Sequence, residues 1–120
     1  MKKDLSEGDG KMDVFVVTTP GIPGYSVKEV KGLVYGQSVR TRGALGRIVA
    51  GIEALVGGSS QAYLEEFNKA RDEAIERLKE NAVKMGANAV IGVDFETSEI
   101  LEGFILITVY GTAVVVEKER

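Results

Sequence analysis

The sequence predicts an α+β domain in which one long helix packs against an antiparallel β-sheet. Three stretches carry that prediction. Apolar residues recur at steps of three or four from Leu64 to Met85, the period of a helix face. The junction Gly86-Ala87-Asn88-Ala89-Val90-Ile91-Gly92-Val93-Asp94-Phe95 ends that helix at a glycine and runs straight into a β-branched segment. Phe104 to Val116 is almost wholly apolar or Thr, the composition of a strand.

Residues 1–12 are polar and aperiodic and read as a mobile tail, which leaves 13–120 as a single domain. Val14 to Thr18 is a short first strand, broken by Pro20, Gly21, Pro23 and Gly24. Tyr25 to Arg40 is the second strand. Val27, Leu33, Tyr35 and Val39 share one parity and Val30 and Val34 the other, which fits a strand with both faces partly covered, or one with a bulge near Gly32 or Gly36. Ile48, Ile52, Leu55 and Val56 give a short helix that Gly57-Gly58 stops.

Ser59 or Ser60 can cap the long helix. Its apolar stripe is Leu64, Phe67, Ala70, Ala74, Leu78, Ala82 and Met85. Glu65/Lys69, Glu73/Arg77 and Glu80/Lys84 form i,i+4 pairs on the wet side. Ala89 to Thr97 is the third strand, with Ala89, Ile91, Val93 and Phe95 on one face and Val90, Gly92, Asp94 and Glu96 on the other. Thr97 to Gly103 turns the chain into the fourth strand.

Composition bounds the chemistry. The 120 residues suit one domain that buries a core without staples. There is no Cys and no His, so disulfides, thiolate or imidazole metal sites and His-based catalysis are excluded. The net charge of −3 is spread along the chain, which argues against a nucleic-acid or anionic-membrane surface. No apolar run is long enough to span a bilayer and the N-terminus carries no apolar signal core. The expectation is a cytoplasmic protein.

The fourth strand asks for a partner. A small sheet covered by one helix should alternate apolar and polar residues. Here Phe104, Leu106, Tyr110 and Val114 point one way, and Ile105, Ile107, Val109, Ala113 and Val115 the other. The second apolar face must be buried by the short helix or by another subunit, and oligomerisation is the expectation.

The chain resembles the YbjQ-like family, whose domain carries a provisional heavy-metal-binding label. The likeness rests on Thr18-Thr19-Pro20, Ile22-Pro23-Gly24-Tyr25, Gly32, Gly36, Gly57-Gly58, Tyr63, Arg71 and Ala74. It continues through Gly86 to Val93, Phe95, Ser98 and Tyr110-Gly111-Thr112-Ala113-Val114. The resemblance implies a dodecin-like subunit with one long helix plus a short helix on an antiparallel sheet. It also implies a ring-shaped homopentamer held by strands of neighbouring subunits, and it brings no reaction or cofactor. Ser59, Gly46-Arg47 and Ile105-Leu106-Ile107 stand where relatives often carry a carboxylate, so a carboxylate cation site of the family loses ligands here.

Two clusters are candidate sites. Arg40, Arg42 and Arg47 surround Gly43 and Gly46 ahead of a helix, where an anion such as phosphate or carboxylate could bind. Ion pairs between subunits, or a wet basic loop, would explain them equally. Asp94 and Glu96, with Glu99 or Glu102, could hold a hard cation through oxygens. The alternative is a solvated strand face. Tyr35 and Tyr110 could line a pocket or simply pack. No catalytic residue is assigned. The expected function is a non-enzymatic oligomeric module that binds a small ligand at subunit interfaces. The alternative is a heavy-metal-binding protein, which the lack of Cys and His disfavours, because soft metals prefer thiolate and imidazole.

Overall fold

A computed structural model describes residues 13–41, 61–101 and 104–120. Its elements are β1 (Phe15–Val16), β2 (Tyr25–Thr41), α1 (Gln61–Lys84), β3 (Ala89–Leu101) and β4 (Phe104–Lys118). The strands form one sheet in the order β1-β3-β4-β2. β4 is antiparallel to both its neighbours, but β1 runs parallel to β3, so the sheet is mixed rather than antiparallel throughout. β1 is also shorter than expected, although backbone hydrogen bonds to β3 continue up to the turn that begins at Pro20, from the Val93 amide to the Val17 carbonyl at 3.0 Å and from the Gly92 amide to the Thr19 carbonyl at 2.9 Å. In that turn the Tyr25 amide donates to the Ile22 carbonyl at 3.0 Å. Pro23 and Gly24 occupy its centre, Gly24 with φ 85°, as a type II turn requires. The expected tail, short helix, Gly57-Gly58 stop and Ser59/Ser60 cap lie outside the described residues.

The helix ends as its sequence demands. Gly86 takes φ 84°, its amide donates to Val83 and that of Ala87 to Ala82, which closes a Schellman motif. Asn88 then clamps the outgoing β4. Its amide nitrogen donates to the Val116 carbonyl at 3.0 Å, and its amide oxygen accepts from the Val116 N–H at 2.8 Å.

Ala70, Ala74, Leu78 and Ala82 are fully buried along one face of α1, with Phe67 and Met85 partly buried beside them. Leu64 departs from the expected stripe and is 54% exposed. Three alanines on that face let the helix backbone lie close to the sheet. Gly36 of β2 completes the approach, because a Cβ there would overlap the Ala74 carbonyl and the Leu78 amide.

Bulges decide which face each side chain takes. In β2 the register shifts between Val27 and Glu29 and again between Val30 and Gly32, which has φ 121°. The expected bulge near Gly32 is therefore present, and a second lies just before it. Together they bring Val27, Val30 and Leu33 onto one face, so the parity grouping of Val30 with Val34 does not hold. In β3 the register shifts between Ile91 and Asp94, with Gly92 at φ 62°. Val90 and Val93 thus share the helix-covered core, and Ala89 and Ile91 fall in a second cluster. The single-parity reading of β3 is corrected by that one extra residue. Gly111 lies opposite, where a Cβ would come within 2.9 Å of the Ile91 carbonyl. β3 continues to Leu101, so the chain does not turn at Thr97.

Candidate functional site

The sheet has two unlike faces. One carries Val34, Ile107, Val109 and Ala113 under α1. The other is covered at one end, where Phe15, Ile22, Tyr25 and Ile91 pack on Ala89, Val114 and Val116. Phe15 and Tyr25 meet edge to face there, with ring centroids 5.5 Å apart. Along the β2 edge and toward the opposite end the face is open. Leu33 is 68% exposed, Val30 64% and Tyr35 51%, with Val39 and Val27 also exposed. Val114 and Val116 are therefore buried on the second face by the loop after β1, a contact that sequence periodicity does not reveal.

The open end is an ordered grid. Tyr35, Tyr110 and Asp94 are cross-strand partners across β2, β4 and β3, and Gln37, Thr108 and Glu96 form the next rung. Tyr35 and Tyr110 do line a common depression, with Leu33, Gln37, Glu96 and Leu106 around them. Asp94 and Glu96 share this face, as their parity requires, and both are exposed. Among the described residues no group of three or more metal-ligating side chains occurs.

Of the three arginines, Arg40 is described, and Arg42 and Arg47 lie outside the described residues. Arg40 turns to the helix of its own chain. Its Nη1 lies 3.2 Å from Glu73 Oε1, and its Nε is 3.3 Å from Glu66 Oε1, an ion pair rather than a well-aimed hydrogen bond. Ser38, fully buried, donates to Glu73 Oε1 at 2.7 Å and accepts from Arg40 Nη1 at 3.1 Å. Arg77 adds a 3.4 Å ion pair to Glu73. Glu73 is therefore a junction between helix and sheet, not a purely wet residue. Residue spacing places it in an i,i+4 pair with Arg77, but only the tertiary fold brings Ser38 beneath it.

The Ser38 hydroxyl is the largest influence on the Glu73 carboxyl; desolvation, next, opposes it, and with Arg40 and then Arg77 adding to Ser38 the carboxyl is held below its ordinary value of 4.5. A lowered folded-state pKa means that the charged form contributes stability above the unfolded-state value. That stability is lost as pH falls through the lower folded value. Wild type should therefore be more stable than Glu73→Gln near neutrality, and the difference should shrink as pH falls below the ordinary carboxyl value of 4.5. Glu73→Ala should cost about 1–3 kcal/mol near pH 7, since it removes the acceptor of a buried hydroxyl. Urea unfolding at two pH values checks both, and a loss below about 0.5 kcal/mol would return Glu73 to the wet face.

Two helix side chains reach the outer edge of β2. Arg77 Nη1 donates to the Gln37 carbonyl and Asn81 Nδ2 to the Tyr35 carbonyl, each at 2.7 Å. Sheet edges expose such carbonyls to strand addition, so here the helix occupies them. On the other side of the molecule Arg71 lies 5.8 Å from the centroid of the Phe95 ring. No helix among the described residues is long and apolar enough to cross a membrane.

Comparison with known proteins places this architecture among uncharacterised relatives. A protein family described as "Putative heavy-metal-binding" matches residues 14–117. A UPF0145 protein of Methanoregula boonei is 46% identical over 89% of this chain and 89% of its own length. One from Sulfurisphaera tokodaii is 45% identical over 88% and 93%. Among solved structures, a protein of unknown function of the DUF74 family from Pediococcus pentosaceus aligns with a TM-score of 0.58 at 21% identity. The alignment covers 87% of this chain and 98% of that one, a likeness of fold alone.

Proposed function

We propose, from the premise that this chain belongs to the YbjQ-like family, that it is a non-enzymatic module that assembles with copies of itself and binds a small ligand between subunits. The observation that carries the reading is the open part of the second sheet face along β2, with Leu33, Val30 and Tyr35 each more than half exposed. Contiguous apolar surface of this kind on a soluble protein marks a contact site. Burying it against another subunit stabilises the assembly by about 25 cal/mol for each Å² removed from water. The resemblance read from the sequence favours a five-membered ring as the form of that assembly.

The non-enzymatic part rests on chemistry. The sequence contains no Cys and no His. Glu73, whose pKa is lowered, is engaged by Ser38, Arg40 and Arg77. Ser38 itself is buried beneath the helix. The metal label of the family gains no support from the donor set, since soft ions favour ligands that this chain lacks.

Size exclusion with light scattering tests the assembly. The wild type at micromolar concentration should elute at a multiple of 12.9 kDa, five times for the ring. Leu33→Lys should lower the mass without unfolding the chain, because Leu33 touches solvent in the isolated subunit. A wild type at the monomer mass overturns the reading.

A further inference from the structure

The depression on the open face has a definite chemistry. Its volume is about 530 Å³, within the range of small-molecule sites. Two phenol rings, Tyr35 and Tyr110, and two leucines, Leu33 and Leu106, supply apolar and π-rich surface. The polar groups between them are already satisfied in part, since Gln37 Nε2 donates to Thr108 Oγ1 at 3.3 Å. The remaining wall carries one carboxylate, Glu96, with Asp94 on the neighbouring rung.

That acid wall lacks a counter-charge. Elsewhere on the molecule the carboxylates of Glu29, Glu66, Glu73 and Glu76 each have a basic partner. Glu96 and Asp94 have none among the described residues, and Asp94 accepts only the Phe95 amide, at 2.8 Å. Aromatic faces and carboxylates both attract cations and both repel anions. A bare divalent ion would need more oxygens than two carboxylates set about 7 Å apart along a strand. A cation that brings its own apolar body satisfies the whole surface at once.

We infer that the Tyr35–Tyr110–Glu96 depression binds an organic ammonium ion, a protonated amine carried on a flat or apolar body of aromatic-amine size. The ammonium group lies at Glu96, with Asp94 one rung away, and the body lies over Tyr35 and Tyr110 between the two leucines. The inference rests on the open face being the binding face of the protein, and it specifies the ligand class. It concerns a different place from the arginine cluster and a ligand of opposite charge; of that cluster Arg40 is described, and it is paired with Glu66 and Glu73.

Tryptamine and indole-3-acetate carry one ring system with opposite charges and make a suitable pair of probes. The chain has no Trp, so indole fluorescence belongs to the probe alone, and its anisotropy reports binding at any assembly size. Full-length protein titrated into tryptamine at low salt should raise the anisotropy saturably, with a dissociation constant of about 1 mM or below. Indole-3-acetate should not respond. Glu96→Gln should weaken tryptamine about fivefold, the range of one exposed charge pair, and Tyr35→Leu should weaken it while leaving the preference for the cation. Equal response to both probes, no response to tryptamine, or an unchanged affinity in Glu96→Gln overturns the inference. Light scattering on the same samples separates the two readings. A monomer that still selects tryptamine refutes the assembly alone, and an assembled protein that fails to select it refutes the ligand class alone.

Discussion

Gly36→Ala is expected to destabilise the protein by about 3 kcal/mol, the upper end of what overpacking costs. An added methyl would overlap the Ala74 carbonyl and the Leu78 amide, and would stand 2.9 Å from the Leu78 Cα. All three are helix backbone, so no rotamer change relieves the clash. The helix must move off the sheet. Doing so loosens the contacts of Ala70, Ala74, Leu78 and Ala82 together and lengthens the bonds from Arg77 and Asn81 to the β2 edge. Gly21→Ala is the control. Nothing lies within 4 Å of its Cβ position, and its effect should stay within about 0.5 kcal/mol. Denaturant midpoints at constant slope measure both. Similar midpoints for the two variants would show that the helix is not seated on Gly36.

Leu78→Ala is the second large effect, at about 2–5 kcal/mol. Leu78 is fully buried and is the largest fully buried side chain on α1, set among alanines that cannot expand to fill the space it leaves. A domain of this size has about 5–15 kcal/mol in all, so the variant loses a large share of its stability. Combining it with Gly36→Ala is informative. The clash at Gly36 is with backbone, so shortening the Leu78 side chain should not rescue it. The double variant should be at least as unstable as the worse single one. A double variant more stable than Gly36→Ala would mean that the Leu78 side chain, not the helix axis, is what Gly36 accommodates.

The candidate site was legible only in pieces. Tyr35, Tyr110, Asp94 and Glu96 each drew attention from residue type and parity, but nothing in the linear order says that they share adjacent rungs. Asp94 meets Tyr110 only because the β3 bulge advances the register by one residue ahead of it. The role of Glu73 was hidden for a similar reason. An i,i+4 pair on a helix is read from spacing, whereas a buried serine thirty-five residues away in the chain is not.

By itself the sequence determined the features that depend on near neighbours along the chain. These are the long helix and its glycine stop, the four strands in order, a turn over Pro20 to Gly24, and a fourth strand with two apolar faces. Each follows from local periodicity or from the backbone freedom of a single glycine. Tertiary structure alone decided the parallel pairing of β1, the placement of the β3 bulge, the covering of one end of the second face by the loop after β1, and the tie between Arg40 and the helix. Those depend on register and on contacts between distant segments. A one-residue shift in register sends every later side chain to the opposite face, so a pattern of alternation cannot report it in advance.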